Sequence, residues 1–326
     1  MEVQEIINNF PRKKVLIIGD LMLDKYTEGY IERISPEAPV PVLRVSNHSY
    51  KMGGAANVAI NVANLSPNGN ISVAGFVGDD PEASYLKKML EDNNIQTYLD
   101  SDHSTIVKER FMGKSSGHPQ HILRADYEED HKKTFNDELK DKIRDLALES
   151  EIIILSDYAK GTITTDLLNI LDSFKNKMII DPKPKNPDFR SIYRGCHVIT
   201  PNKREILEMS GLNNIFDAGA NISRELNTNV ILKLGGDGTA VFPLNGEIIK
   251  VPTIKETNFE ETGAGDSLIS ALALSLTINH SLDKAAIIGN HAARLTVKKI
   301  GTYAPTLEEL RKLINEENEK NRFSSP

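Results

Sequence analysis

Short apolar runs rich in β-branched residues recur along this chain, and stretches with apolar residues at helical spacing separate them. The first run, Val15-Leu-Ile-Ile-Gly19, is closed by glycine and followed by Asp20, which predicts a buried central strand. A helix is predicted over Ala55 to Leu65, a strand over Ile71 to Val77 and a helix over Pro81 to Asn93. The rhythm resumes with a helix over Asn136 to Glu149, a strand over Ile152 to Leu155, a helix over Thr164 to Phe174, and strands over Met178 to Ile180 and His197 to Ile199. A helix over Ala218 to Leu226 and a strand over Val230 to Leu234 follow, then helical patterns over Ala264 to Thr277, Leu282 to Val297 and Leu307 to Glu319. Such alternation requires a mostly parallel sheet with helices on both faces, because parallel strands need crossovers and both faces must be covered.

Two polar stretches, Tyr26 to Tyr50 and Ser104 to Leu123, interrupt the rhythm with short alternating strands. They are placed together as a small β-sheet lid over about 25–50 and 104–125, inserted in one domain spanning 1–326; long hairpin excursions are the alternative. The tail from Asn315 to Pro326 is polar and expected to fray.

With 39 Lys and Arg against 46 Asp and Glu, the net charge of −7 argues against bulk attraction to nucleic acid or anionic lipid. One cysteine, Cys196, excludes an intramolecular disulfide and a Cys-rich metal site. The longest apolar run near the N-terminus, Val15 to Ile18, is too short for a membrane span or a signal-peptide core, so no membrane association and a cytoplasmic location are expected.

The sharpest local feature is Thr262-Gly-Ala-Gly-Asp266 directly ahead of an Ala- and Leu-rich helix. Glycines let successive N–H groups point outward, and the helix N-terminus adds partial positive charge. An acid at Asp266 is out of place as an anion ligand there, but suits a general base beside an anion hole formed by the amides of Gly263, Ala264 and Gly265. As an isolated pattern, it reads more often as an ordinary N-terminal cap after a tight glycine turn, and context must decide.

Three more regions bear on that choice. Asn202-Lys-Arg-Glu205 follows a strand at the carboxyl edge of the sheet, with Asn and Glu on one helical face; the pair suits water-mediated Mg²⁺ binding and equally a capping box. Lys233-Leu-Gly-Gly-Asp-Gly238 follows another strand, and Gly235, Gly236 and Gly238 permit close approach of a ligand or form a hairpin turn. Gly53-Gly54-Ala-Ala-Asn57 opens a helix, where the glycines allow a ligand against the backbone and Asn57 can offer an amide to a sugar hydroxyl; it also reads as an ordinary helix start. Neither a Walker pattern nor a clean Gly-x-Gly-x-x-Gly is present.

Together, over roughly Lys14 to Pro305, these motifs resemble the ribokinase-type carbohydrate kinases, the PfkB family. Within it, Gly19-Asp-Leu-Met-Leu-Asp24, Arg33-Ile-Ser-Pro-Glu-Ala-Pro-Val-Pro-Val42, Leu155-Ser-Asp-Tyr-Ala-Lys-Gly161 and Asp181-Pro-Lys183 resemble the kinase portion of the bacterial heptose 7-phosphate kinase/heptose 1-phosphate adenylyltransferases. The resemblance implies a three-layer α/β/α ribokinase-like fold and ATP-dependent phosphorylation of the 1-hydroxyl of D-glycero-β-D-manno-heptose 7-phosphate, a step toward ADP-heptose and lipopolysaccharide. By it, Asp266 is the base and Asn202 and Glu205 hold Mg²⁺ through water. ATP lies near Asn202, Lys233, Gly235, Gly236, Gly238 and Asn290. The sugar meets Asp20, Asp24, Gly53, Gly54 and Asn57, and its phosphate draws on Lys108, Arg110, Arg124, Lys160 and Lys183. A stand-alone kinase is expected, paired through its lid strands as a homodimer and served by a separate adenylyltransferase. One departure is Glu260, where the family usually has Asp at a monovalent-cation site, which puts K⁺ activation in doubt. The alternatives are a kinase of this fold acting on ribose, a fructose phosphate or another sugar, and a catalytically silent sugar-binding protein.

Overall fold

The computed structural model describes residues 2–101, 103–114, 120–129, 131–256, 262–279, 281–299 and 302–323. Glu260, and with it the expectation about K⁺, lies outside them.

Seven parallel strands form the body of a nine-stranded sheet: β1 (Lys14–Gly19), β4 (Asn70–Val77), β5 (Gln96–Ser101), β8 (Ile152–Ser156), β9 (Met178–Asp181), β10 (Val198–Ile199) and β11 (Asn229–Lys233). Antiparallel β12 (Thr239–Phe242) and β13 (Ile249–Val251) extend one edge, giving the order β13-β12-β11-β10-β9-β8-β1-β4-β5. Strand alternation divides the core into two. Val15 and Ile17 of β1 face a layer containing α1 (Val3–Asn8), α2 (Ala55–Leu65), α3 (Pro81–Asp92), α9 (Ala264–Leu276), α10 (Leu282–Val297) and α11 (Leu307–Phe323). Leu16 and Ile18 face the other layer, with α4 (Asp137–Glu149), α5 (Thr165–Leu171), α6 (Phe189–Tyr193), α7 (Lys203–Ser210) and α8 (Ile215–Leu226). The three-layer expectation is met.

The second sheet has the order β3-β2-β6-β7, from β2 (Leu21–Ile34), β3 (Pro41–Gly54), β6 (Ile106–Lys114) and β7 (Gln120–Tyr127). Its hairpin of two 14-residue strands starts at Leu21, earlier than the sequence pattern suggested, because residues 21–24 are buried in the body before the strand emerges. The two faces of this second sheet carry different side chains. Register places Asp24, Lys108 and Asp126 in one row and Tyr26, Arg110 and Arg124 in the next, all on one face. The opposite face carries Lys25, Thr27 and Glu109 near the body, with Tyr127 beside Glu109, and farther out Phe111, Leu123 and, beyond the bulge in β3, Leu43 and Val45.

Two local expectations need correction. The helix over Thr164 to Phe174 ends at Leu171 and tightens into a 3₁₀ turn over Asp172–Lys177. The tail expected to fray from Asn315 is helical as far as Phe323, in α11, whose earlier residues Leu307, Leu310 and Ile314 dock it on the core; residues 324–326 lie outside those described.

Candidate active site

The chain leaves β1 in one direction, toward β4 and β5, and later enters β8 and continues in the other. Open parallel sheets hold ligands at such a reversal, beyond the carboxyl ends of the strands, where diverging loops leave a crevice. A cleft of about 180 Å³ opens there, lined by Asp157, Tyr158, Asp181, Lys183, Asn202, Glu205, Lys233, Gly263, Gly265 and Asp266, among others.

Asp266 sits in the first turn of α9, whose cap is Gly263 in the left-handed conformation (φ 82°) with no side chain capping the helix. The carboxyl is therefore free of the capping duty that sequence alone left open. It is held instead by Asn57, whose Nδ2 donates to Oδ2 at 2.5 Å, and by Tyr158, whose Oη lies 3.3 Å from Oδ1. Behind it, the Ser267 hydroxyl donates to Asn61 Oδ1 and pairs with Thr296, tying α9 to α2 and α10. Burial pushes the Asp266 carboxyl up to about 7; the Asn57 hydrogen bond, nearby Lys233 and Tyr158 pull it down, and Asp181 adds to the rise. A buried carboxyl that titrates near neutrality is suited to taking a proton from a hydroxyl.

Lys233 closes the cleft from β11. Burial works against its charge, but the ion pair with Asp181 at 2.6 Å and the nearby Glu205 raise its pKa, so the ammonium persists. Asn202 and Glu205 form a complete capping box on α7: Asn202 Oδ1 accepts from the Glu205 amide and Glu205 Oε2 from the Asn202 amide. The other carboxylate oxygen, Oε1, pairs with Lys183 at 3.2 Å beside the cleft. Capping and an address to the cleft thus coexist in Glu205. That donor set fits a hydrated divalent cation held through water, with one carboxylate oxygen committed to the cap and the other facing the cleft, where it is shared with Lys183; no cluster of three acidic, His or Cys side chains suited to a metal occurs among the described residues.

The remaining sequence-derived residues fall into distinct groups. Asp20 is fully enclosed, and its carboxylate accepts from the backbone N–H groups of Tyr158, Lys160 and Thr162 at 2.8, 3.0 and 3.2 Å, so it anchors the loop after β8. Asp24 pairs with Arg110 at 2.6 Å and approaches Gly53, while Gly54 (φ 55°) lets the backbone pass the Asp20 carbonyl, where a Cβ would come within 2.3 Å. Lys108 lies over the Tyr158 ring, and burial lowers its pKa despite nearby Glu128, Asp126 and Asp24. Arg124 pairs with Asp126 at the exposed end of the same face, and Lys160 with Glu128 at 2.6 Å. Gly235, Gly236 and Gly238 make the turn between β11 and β12, outside the cleft's lining. Asn290 is buried beneath that turn, donating to Thr239 Oγ1 and the Val251 carbonyl, so its amide ties α10 to β12 and β13. Sequence reasoning gave no site role to Tyr158, Asp157 or Asp181, although their positions immediately after or at the end of parallel strands mark the edge where such folds bind.

The family model that matches this chain defines its class of enzyme, a carbohydrate kinase. The chain belongs to the pfkB family carbohydrate kinases, whose signature matches residues 12–310. It is 36% identical over 315 residues to the bifunctional protein HldE of Actinobacillus succinogenes and 35% identical over 315 residues to that of Haemophilus influenzae, in each case over 94% of this chain and 64% of the relative. It therefore spans less than two thirds of those relatives' length. Its fold is similar to that of a ribokinase from Thermotoga maritima (TM-score 0.73, 22% identity, 92% and 99% of the two chains) and of phosphofructokinase-2 from Escherichia coli in complex with potassium (TM-score 0.73, 19% identity, 94% and 99%).

Proposed function

We propose that this kinase transfers the γ-phosphoryl group of ATP to the 1-hydroxyl of D-glycero-β-D-manno-heptose 7-phosphate, giving the 1,7-bisphosphate. The observation that carries the reading is the buried Asp266, in hydrogen-bond contact with Asn57 and Tyr158 at the glycine turn of α9. Identity of about 35% to the bifunctional HldE proteins, with the motif resemblance described above, supports the acceptor.

The hydroxyl loses its proton to Asp266 as it attacks in line. The amides of Gly263, Ala264 and Gly265, at the positive end of α9, receive charge from the transferring group, and Lys233 adds its ammonium. Asn202 and Glu205 would hold Mg²⁺ through water, and the ion would neutralise phosphate charge when bound. The lid's charged face supplies Lys108, Arg110 and Arg124 to the acceptor's phosphate. Burial disfavours the Lys108 charge, so an anion arriving there is welcome. A heptose 1-phosphate adenylyltransferase, acting after loss of the 7-phosphate from the product, is the partner enzyme of this reading, and cytoplasm is its location. Among the described residues no helix is long and apolar enough to cross a membrane.

The lid's other face, with Leu123, Tyr127 and Val45 exposed, is assigned to a second copy of the chain, each lid closing over its own subunit's site. The activity is tested by ³¹P NMR of the product formed from ATP and a panel of sugars and sugar phosphates. A new anomeric phosphate resonance on the heptose 7-phosphate is expected; selective phosphorylation of ribose or a fructose phosphate instead overturns the assignment.

A further inference from the structure

Tyr158 stands where two cavities meet. It lines the cleft of Asp266 and also a larger cavity of about 500 Å³ on its other side, bounded by Lys132, Lys160 and Asn186 among others. The segment carrying it is unusually constrained. Asp20 gathers three of its backbone N–H groups, and Asp157 accepts from the Ala159 amide at 2.7 Å. Asp157 is itself held by the Tyr193 hydroxyl at 2.5 Å and Asn186 Nδ2 at 2.9 Å. Ala159 adopts φ 58°, and Gly161, at φ 94°, passes so close to the His131 carbonyl that a Cβ there would lie 1.7 Å from its oxygen. Backbone held in sparsely populated conformations by buried groups marks a place where exact side-chain placement is used.

We propose that Tyr158 is a positioning residue for Asp266, its phenol holding one carboxylate oxygen while Asn57 holds the other, so that the remaining lone pairs face the acceptor hydroxyl. This rests on the reading of Asp266 as the base. A carboxylate has about four acceptor positions, and two neutral donors both orient it and favour its ionised form. The phenol is fit for a permanent donor: the adjacent Asp266 and burial raise its pKa well above the ordinary phenol range. The other charges facing Asp266 are Asp181 at the end of β9 and Lys233 at the end of β11. Glu205 on α7 faces Lys233, while Lys108 from the lid covers the Tyr158 ring and Asp24 bears on the phenol. None of these changes when only the hydroxyl is removed.

The test is Tyr158→Phe, which keeps the ring under Lys108. Losing one donor raises the Asp266 pKa, so the acidic limb of the kcat profile moves up by about 0.5–1 pH unit. At pH 7 kcat falls about two- to fivefold and much of the deficit is recovered at higher pH, with KM for ATP unchanged. The second readout needs no turnover. In ¹³C NMR of the unliganded protein, the Asp266 carboxyl, assigned by its disappearance in Asp266→Asn, titrates at a higher midpoint in Tyr158→Phe than in the native protein. Fluorotyrosine installed at position 158, a more acidic phenol and stronger donor, shifts the midpoint the other way even where Tyr158→Phe fails to fold. Equal midpoints in all three proteins, or a loss of kcat uniform across pH, overturn the proposal. A shifted titration without sugar-dependent ATP turnover upholds the positioning and removes the kinase reading instead.

Discussion

Replacing Asp266 by Asn tests the candidate base through both rate and stability, and the two effects have opposite signs. Folding takes this carboxyl from an ordinary value of 3.8 to about 7, chiefly by burial. A raised folded-state pKa means the native protein binds the proton more tightly than the unfolded chain. Stability from this group is therefore intact below pH 3.8 and is lost as pH rises to about 7. At about 1.4 kcal/mol per unit, roughly 4 kcal/mol has gone by pH 8. An Asn side chain escapes that loss but offers one acceptor oxygen to two donors, Asn57 and Tyr158, so one donor goes unpaired at a cost of about 1–2 kcal/mol. The variant is therefore expected to be more stable than the native protein by about 2 kcal/mol at pH 8, or about 4 °C in Tm. At pH 5 the difference shrinks to near zero, because most of the loss has not yet accrued. Asp157, also pushed up to about 7 by burial and by neighbouring Asp20, is present in both proteins and cancels. Turnover moves the other way, with kcat lower by at least about 10², or some 2.7 kcal/mol of barrier. Calorimetry at pH 5 and 8 and a coupled assay of ADP release measure the two effects. A variant that turns over at near-native rate, or that melts below the native protein by the same margin at both pH values, refutes the assignment of a buried base.

Three further outcomes are expected. Glu205→Gln retains an acceptor for the capping box, so melting changes little, while the Mg²⁺ concentration for half-maximal turnover rises about tenfold; an unchanged Mg²⁺ titration leaves Glu205 as a cap alone. Gly54→Ala sets a Cβ 2.3 Å from the rigid Asp20 carbonyl at φ 55°, and a Tm lower by at least about 5 °C is expected by calorimetry; native-like melting would show that this crossing is not fixed. Val45→Asp, on the apolar lid face, weakens self-association by a few kcal/mol in sedimentation velocity at micromolar concentration, whereas Val42→Asp, on the other face by register, does so far less. A native protein sedimenting as a 36.2 kDa species with full activity removes the dimer.

What was legible in the sequence depended on whether local chemistry matched tertiary use. α2 and α10 appear with the limits their apolar spacing predicts, since α2 is buried between the sheet and α9, and α10 packs its apolar side mainly on α9. The edge strand β5, Gln-Thr-Tyr-Leu-Asp-Ser, escaped because its half-exposed polar pattern resembles a loop, and its identity comes from pairing with β4. The same division runs through the site. Asp266 was legible because glycines before a helix are a local device. Tyr158 was not, because an aromatic residue after an apolar strand normally reads as core, and its partner lies 108 positions away. Asp20 and Asn290, expected from the motif resemblance to meet the ligands, also carry contacts within the fold: one gathers the amides of the loop after β8 and the other pins α10 to the outer strands. Polar side chains at the carboxyl edge of a parallel sheet either meet the ligand or hold the loops that do. Asp20 illustrates why the second role is as demanding as the first, since a carboxylate sealed from solvent with three backbone donors cannot be lost without releasing the segment that places Tyr158 against Asp266.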